Sequence, residues 1–322
     1  MNTSSAAAPS LAFVVPCYNE GLSLPELLRK LAEIDDQLVA ADAIRSPSTI
    51  VLVDDGSTDD TWQKISEATA THNVTGIRLS RNHGHQAALL AGLMTAEADV
   101  IISLDADLQD DPDAIPKMLD AHNRGAQVVF GVRSSRDTDT VFKRRTARLY
   151  YDILQGMGID IVPDHADYRL MSSKAIATLR EFGEVNLFLR GLVKNIGYQT
   201  EIVEYDRSER FAGETKYPLS KMLQLAVEGV TSFSTRPLRY VTWIGTIVAM
   251  TSFFLACYSI FAWWRGGTIP GWTSITVPTF MLGGVQLIAL GIIGEYIGKI
   301  YLETKRRPQF IIDEIIKADD AP

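Results

Sequence analysis

A cluster of acidic residues follows a short apolar run in the first half of the sequence. The apolar run, Val100–Leu104, fits a strand that is buried on both faces. Four aspartates and one glutamine come after it: Asp105, Asp107, Gln109, Asp110 and Asp111. Carboxylates two residues apart at the end of a strand repel each other unless something neutralises their charge. An Asp-x-Asp pair with a nearby amide oxygen suits a hard divalent cation that keeps positions open for phosphate oxygens.

Taken alone, this run also fits an acidic turn that begins the next helix at Asp111-Pro112. Three further polar motifs favour the metal site, because each of them also follows a predicted strand. They are PCYNE after Leu11–Val15, DDGSTDD after Thr49–Val53, and RNHGHQ after Gly76–Leu79.

Helical patterns separate these runs, and further strands are predicted at Gln127–Val132 and Thr200–Tyr205. Strands that alternate with helices indicate an α/β fold with an open parallel sheet. In such sheets ligands bind beyond the carboxyl ends of the strands, which is where all four motifs fall.

Composition narrows the class of protein. The net charge is −8, from 31 Lys and Arg against 39 Asp and Glu, and this argues against nucleic-acid binding. Cys17 and Cys257 match no metal or redox spacing, which favours a reducing compartment. Residues 1–10 are small and polar, show no signal-peptide pattern and are predicted to be a disordered leader.

Two uncharged stretches in the last third of the sequence predict a membrane hairpin. Tyr240–Trp264 and Ile275–Gly294 contain no charged residue, and each can span a bilayer core of about 30 Å. The loop between them carries only Arg265 as a charged residue. By the positive-inside rule, both ends of the hairpin are predicted to face the cytoplasm, at the inner membrane. The basic residues outside the hairpin are Arg236, Arg239, Lys299, Lys305, Arg306 and Arg307.

The segment before the hairpin, Leu219–Ser234, has apolar residues at the spacing of an amphipathic helix. This spacing fits core packing and an interfacial helix equally well. The predicted organisation is therefore a leader at 1–10, an α/β domain at 11–215, a juxtamembrane helix at 216–237, a transmembrane hairpin at 238–300 and a cytoplasmic tail at 301–322.

The order of these motifs, with the hairpin behind them, resembles the nucleotide-sugar-dependent glycosyltransferases of family 2. Their fold, called GT-A, is built on a Rossmann-like, mostly parallel sheet. From Leu11 to Phe310 the chain is most similar to the polyprenyl-phosphate branch, which includes dolichyl-phosphate mannose synthase and bacterial undecaprenyl-phosphate glucosyltransferases. The resemblance implies inverting transfer of a sugar, with UDP-glucose as the favoured donor, to a polyprenyl phosphate at the cytoplasmic face. The product would serve cell-envelope glycosylation, such as lipopolysaccharide modification.

The resemblance also implies a set of residues that bind the nucleotide-sugar. Tyr18 can stack on the base, and Asp55 is the favoured acceptor for the imide N–H of uracil. His83 and His85 can reach the diphosphate or the sugar, although as isolated histidines they are better interpreted as surface residues. The implied nucleotide-sugar residues are Pro16, Tyr18, Glu20, Asp54, Asp55, Arg81, Gly84 and Asp105.

Asp105, Asp107 and Gln109 correspond to the DxDxQ motif of the family and are assigned Mg²⁺ or Mn²⁺, held against the donor diphosphate. Arg210 and Lys216 resemble a loop that closes over that diphosphate, with Gly213 between them as its hinge.

The implied acceptor is a lipid phosphate, whose second pKa of about 6 leaves it largely dianionic at neutral pH. Such a nucleophile needs positive charge for positioning more than it needs a general base. Arg133 and Arg144 match the acceptor-phosphate contacts of the family, with Arg145 as a neighbour that can substitute. Arg148 stands where relatives often have a small hydroxyl residue.

Asp167 matches the acidic position near the reacting carbon and is assigned to orient the acceptor or the sugar, with a general base as the second option. The predicted catalytic residues are thus Asp107, Asp167, Arg133 and Arg144.

Several alternatives stay open at this point. The same reaction can use UDP-aminoarabinose, UDP-GlcNAc or GDP-mannose, and an inert membrane scaffold can keep the same fold. A processive polysaccharide synthase is disfavoured, because the sequence lacks a Gln-x-x-Arg-Trp motif and has only two predicted spans. A homo-oligomer, with a tetramer as the favoured size, is expected from the resemblance, and Gly283-Gly284 permits close helix packing.

Overall fold

The structure is a computed structural model that describes residues 8–134, 165–183, 189–206, 231, 234–265 and 271–318. The chain forms two compact units. The first unit holds every strand described below, and the second holds two long helices.

The first unit alternates strands and helices, as the sequence predicts. Its strands are β1 (Leu11–Cys17), β2 (Thr49–Asp54), β3 (Val74–Leu79), β4 (Val100–Ser103), β5 (Val128–Arg133), β6 (His165–Ser172), β7 (Thr200–Tyr205) and β8 (Ile312–Lys317). Its helices are α1 (Leu24–Ala40), α2 (Thr61–Thr69), α3 (His85–Thr95), α4 (Ile115–Asn123), α5 (Ser173–Glu181) and α6 (Leu189–Asn195).

The eight strands form one sheet in the order β7-β5-β6-β4-β1-β2-β3-β8. Strand β1 pairs in parallel with β2 and β4, β2 with β3, and β5 with β7. The predicted α/β class is therefore confirmed. The sheet is mixed, however, because β6 runs antiparallel to β4 and β5, and β8 runs antiparallel to β3.

The core of this unit lies on both faces of the central strands. Every residue of β1 is buried, which explains its continuous apolar sequence, and the run continues through Pro16 to Cys17 rather than ending at the proline. Helix α1 begins at Leu24-Pro25 and buries one apolar side, including Leu27 and Leu31. This packing fixes the carboxyl ends of β1, β2 and β4 beside one another.

Strand β8 lies within the segment that the sequence analysis assigned to a cytoplasmic tail. Ile312–Lys317 pairs with β3, and the Ser80 backbone N–H donates to the Ile311 carbonyl at 2.9 Å. The strand was missed because Asp313 and Glu314 interrupt its apolar residues, so it shows neither the alternation of a half-buried strand nor a continuous apolar run. Its effect is to cover the edge that β3 would otherwise expose.

The second unit contains α7 (Arg236–Trp264) and α8 (Trp272–Lys305), helices of 29 and 34 residues. Within the described residues, one segment, Met281–Lys305, is long and apolar enough to cross a membrane. The two-span hairpin therefore stays a prediction. Most of the amphipathic segment Leu219–Ser234 lies outside the described residues.

Candidate active site

The loops after β1 and β2 are joined by side-chain hydrogen bonds. The Asn19 side chain accepts from the Thr58 backbone N–H at 2.8 Å, and the Asn19 backbone N–H donates to the Ser57 hydroxyl at 2.9 Å. Tyr18 is 47% exposed beside this junction, so its ring is open to stacking. Pro16, by contrast, is buried inside β1 and offers its side chain to no ligand.

Glu20 has a structural role in the first of these loops. Its carboxylate accepts from the Ser23 hydroxyl at 2.6 Å, and its backbone N–H donates to the Thr61 hydroxyl at 2.9 Å. The loop that precedes α1 is thereby attached to the start of α2.

Asp54 and Asp55 are both buried at the end of β2 but make different contacts. The Asp54 Oδ1 atom accepts from the Ser57 N–H at 3.1 Å. The two oxygens of Asp55 accept from the backbone N–H groups of His83 at 2.6 Å and Gly84 at 2.9 Å. Burial raises the pKa of Asp55, and these two hydrogen bonds oppose that rise. Asp55 therefore holds the loop after β3 in place, a role that the sequence did not indicate.

Two glycines shape the place where the loops after β2 and β3 meet, Gly56 in the first loop and Gly84 in the second. Gly56 has φ +68°, and a Cβ there would lie 2.6 Å from the Asn82 backbone nitrogen. Gly84 has φ +94°, precedes α3, and would have nothing within 4 Å of an added Cβ. The space beside Gly84 leaves room for a ligand to approach the backbone. Arg81 is exposed next to this loop.

The acidic loop after β4 carries a carboxylate that is only partly neutralised. About a third of the Asp105 side chain is exposed (33%), but its Oδ1 atom is buried and accepts no hydrogen bond from the described residues. Burial raises the pKa of Asp105 to about 7, with His85 opposing the rise and Asp110, Asp167 and Asp107 adding to it. This carboxylate is therefore poorly neutralised in the protein alone.

Asp107 and Gln109 lie in the same loop as Asp105. The Asp107 carboxylate accepts from the Gln109 backbone N–H at 3.2 Å, and the Gln109 side chain is nearly buried. Leu108 between them has φ +59°, a left-handed conformation that is uncommon for leucine. The backbone therefore turns sharply here, which alters the direction of the side chains on either side of it.

Asp167 lies beside this loop because β6 inserts between β4 and β5. Its Oδ2 atom is 3.2 Å from His85 Nε2, and the same nitrogen lies 3.5 Å from Asp105 Oδ1. His85 thus lies between two carboxylates while its side chain stays 45% exposed, so it is the surface residue that the sequence favoured and also a neighbour of the site. The sequence signal for this role was its position, because His85 begins α3 directly after Gly84.

The other oxygen of Asp167 accepts from the guanidinium of Arg169, which is fully buried. The Ser103 hydroxyl, on the neighbouring strand β4, donates to the Asp167 carbonyl at 2.6 Å and holds β6 in place at this residue. The sequence analysis did not single out Arg169. An arginine two residues from a site aspartate on one strand has its side chain on the same face of the sheet, and this was the missed signal.

Arg133 ends β5 on the other side of the acidic loop. Its Nε donates to the Tyr205 hydroxyl at 3.4 Å, and that hydroxyl donates to Asp110 Oδ1 at 2.5 Å. Burial raises the pKa of Asp110, and the hydrogen bond from Tyr205 and the charge of Arg133 oppose that rise. Neither Asp110 nor Tyr205 was assigned a role from sequence.

The structure therefore brings together the carboxyl ends of β1 to β5 and β7 and the amino end of β6, which runs antiparallel to β4 and β5. The predicted site residues that it describes at these ends are Pro16, Tyr18, Glu20, Asp54, Asp55, Arg81, Gly84, Asp105, Asp107, Gln109, Arg133 and Asp167. Four others with predicted roles, Arg144, Arg210, Lys216 and the hinge Gly213, lie outside the described residues, as do Arg145 and Arg148.

The described residues offer a divalent cation two carboxylates rather than a complete cage. No group of three acidic, histidine or cysteine side chains within them is arranged to hold an ion alone. The buried Oδ1 of Asp105, without a hydrogen-bond donor, nevertheless fits a cation, and Asp107 and Gln109 supply further oxygens. A metal bound here would need oxygens from a ligand, as diphosphate can provide.

Comparison with known proteins identifies the class of the protein as a glycosyltransferase. A family model described as glycosyl transferase family 2 matches residues 12–197, more than half of the chain. The chain belongs to this family.

Similarity to individual proteins extends beyond the family region. The chain is 46% identical over 308 residues to "Uncharacterized glycosyltransferase YkoT" of Bacillus subtilis, covering 95% of this chain and 91% of that protein. It is 39% identical over 306 residues to the bactoprenol glucosyl transferase of Shigella phage SfX, covering 94% and 98%. The "prophage bactoprenol glucosyl transferase homolog" of Escherichia coli is 38% identical over 312 residues, covering 95% and 99%.

One solved structure supports the fold alone. Mannosyl-3-phosphoglycerate synthase from Rubrobacter xylanophilus superposes with a TM-score of 0.50 at 15% identity, over 72% of this chain and 74% of that one.

Proposed function

We propose that the protein transfers glucose from UDP-glucose to a polyprenyl phosphate of the undecaprenyl type, with inversion at the sugar carbon. The acceptor class is supported by similarity over nearly the whole chain to proteins named bactoprenol glucosyl transferases. The observation that carries the proposal is Asp105, a carboxylate after the carboxyl end of β4 with a buried oxygen that accepts no hydrogen bond from the described residues.

The donor is held on the side of the site formed by β1, β2 and β3. Tyr18 stacks on the base, the backbone at Gly84 approaches the ligand, and Arg81 contacts the diphosphate. Asp105, Asp107 and Gln109 would hold Mg²⁺ or Mn²⁺, which neutralises the charge that develops on the departing nucleotide diphosphate.

Asp54 or Asp55 accepts from the imide N–H of uracil. Both oxygens of Asp55 already accept backbone N–H groups, but each carboxylate oxygen has two lone pairs. The geometry therefore leaves Asp55 able to accept one more hydrogen bond.

The acceptor phosphate lies on the side of β5 and β6. As a dianion it is already nucleophilic, so the residues around it mainly position it. Arg133 supplies positive charge there, and the cluster that contains Arg144 supplies more. Asp167, fixed by the buried Arg169 and by His85, orients the acceptor or the sugar for attack from the face opposite the leaving group.

The remaining parts of the proposal concern the membrane. Helices α7 and α8 form a hairpin in the inner membrane, with the catalytic unit and both ends of the hairpin on the cytoplasmic side. Arg210 and Lys216 belong to a loop that closes over the diphosphate, and the protein forms homo-oligomers.

The test is transfer of radiolabelled sugar by the full-length protein in detergent with Mg²⁺. We expect label from UDP-glucose to enter the lipid phase with undecaprenyl phosphate and not with undecaprenol, which has the same chain without the phosphate. Chelation of the metal should stop the reaction.

If UDP-glucose gives no label in the lipid phase but UDP-GlcNAc, UDP-aminoarabinose or GDP-mannose does, the proposed donor is wrong and the proposed reaction class stands. Absence of lipid-phase label with all four donors would refute the proposed function.

A further inference from the structure

Arg133 reaches the site as a partly buried cation whose position depends on few contacts. Among the described residues, the hydroxyl of Tyr205 is the hydrogen-bond partner of its guanidinium, at 3.4 Å from Nε. A long arginine side chain held at one point loses less freedom when it binds a phosphate than one that is free in solvent. The contact to Tyr205 is therefore well placed to aim the remaining N–H groups of Arg133.

The Tyr205 hydroxyl is itself fixed in direction. It has one proton, which it donates to Asp110 Oδ1 at 2.5 Å, so its lone pairs are left to accept from Arg133. The ring is buried, with 4% exposure, and packs edge-on against Tyr168 with centroids 5.2 Å apart. Burial also raises the pKa of Tyr205, which keeps the hydroxyl protonated at neutral pH.

Asp110 connects this hydroxyl to the acidic loop. It lies one residue after Gln109 and is buried, and its Oδ2 accepts no hydrogen bond from the described residues. Among the described residues, the Tyr205 hydroxyl is thus the side chain that donates a hydrogen bond to the Asp110 carboxylate. One hydroxyl on β7 therefore joins the loop after β4 to the arginine that ends β5.

We propose that Tyr205 is a positioning residue, which sets Arg133 against the acceptor phosphate and holds it in register with the acidic loop. This inference rests on the proposed function. It assigns Tyr205 to the acceptor side of the site and leaves the donor side independent of it.

The test compares Tyr205→Phe with Tyr168→Phe in the full-length protein. Each change removes one hydroxyl and keeps the aromatic ring, and the Tyr168 hydroxyl donates instead to the Asp111 carbonyl at 3.0 Å. For Tyr205→Phe we expect the KM for undecaprenyl phosphate to rise about tenfold, the effect of losing one hydrogen bond to a charged group. The KM for UDP-glucose and kcat should stay within about twofold, and Tyr168→Phe should leave the acceptor KM unchanged.

A double-mutant cycle separates positioning from a general loss of packing. If Tyr205 acts through Arg133, the hydroxyl should lose its effect on the acceptor KM once Arg133→Ala is present. Equal effects in both backgrounds would overturn the proposal, as would an unchanged acceptor KM in Tyr205→Phe. A similar rise of the KM values for both substrates in Tyr205→Phe and in Tyr168→Phe would also overturn it. Lack of transfer by the wild-type protein would instead refute the proposed function, so the two failures are distinct.

Discussion

Asp105 and Asp107 occupy one short loop but have different surroundings. Asp105 has a buried oxygen beside three other carboxylates, whereas Asp107 accepts a hydrogen bond from the backbone of its own turn. The sequence predicted this pair because the residue types and spacing were enough. It did not predict His85, Asp110, Arg169 or Tyr205 as their neighbours, because those contacts depend on which strands pair.

The first prediction concerns this pair of carboxylates. Asp105→Asn and Asp107→Asn should each lower sugar transfer at least about a hundredfold, because each removes a carboxylate that would hold the proposed divalent cation against the donor diphosphate. The measurement is label transfer under saturating donor and acceptor, with melting of each variant followed in parallel. Neither change should lower the melting temperature much, because asparagine keeps the size of the side chain and each change relieves repulsion between Asp105 and Asp107.

Asp113→Asn is the matched control, because Asp113 lies in the same acidic stretch but is exposed in the turn that precedes α4. It should keep wild-type activity. Full activity in Asp107→Asn would remove that residue from the metal site.

Among the elements of the fold, two strands escaped prediction for different reasons. Strand β6 carries Asp167 and Arg169 among its residues. Because these charged residues were interpreted as a site motif, the segment was not predicted to be a strand. Its place between β4 and β5 follows from long-range pairing, in which Ser103 lies opposite Arg169. Strand β8 lies far from β3 in the sequence, and no turn signal links the two. The parallel strands were predictable because their apolar runs are buried on both faces.

The second prediction tests the packing of β8. A Cβ at Gly76, in the middle of β3, would lie 2.7 Å from Ile65 Cγ2 and 2.8 Å from Ile316 Cγ1. Gly76→Ala should therefore destabilise the protein by about 1–3 kcal/mol through overpacking. The measurement is the free energy of unfolding, or the melting temperature, of the full-length protein in detergent.

Gly183→Ala serves as the control, because an added Cβ there meets no described residue within 4 Å. In a protein that already carries Ile316→Ala, Gly76→Ala should destabilise the fold less than it does in the wild type, because the Ile316 side chain no longer fills the space. Equal melting of Gly76→Ala and the wild type would contradict the packing of β8 against α2.

At the scale of the whole molecule, the distribution of basic residues predicts how the two long helices are oriented in the membrane. The sequence predicted the position of both long helices well, because an uncharged run of more than about 20 residues has few alternatives to a helix. Which side of the membrane the ends face depends on the flanking basic residues, and this stays a prediction.

The third prediction tests that orientation with single cysteines in a background that lacks Cys17 and Cys257. A cysteine replacing Thr268, between the two helices, should react with a membrane-impermeant maleimide in intact cells. A cysteine replacing Lys317 should react only after the cells are opened, because the tail is expected in the cytoplasm. Labelling of both positions in intact cells, or of the Lys317 position alone, would contradict the proposed topology.

The position of β8 has a consequence for how the protein is made and how it can be engineered. A ribosome synthesises both long helices before it reaches Ile312–Lys317, so β3 keeps a bare hydrogen-bonding edge until after those helices have been made. A fragment cut just before Arg236 would retain that edge permanently and would tend to self-associate. A version without the two long helices should instead keep β8 joined to the catalytic part through a flexible linker in place of 236–306.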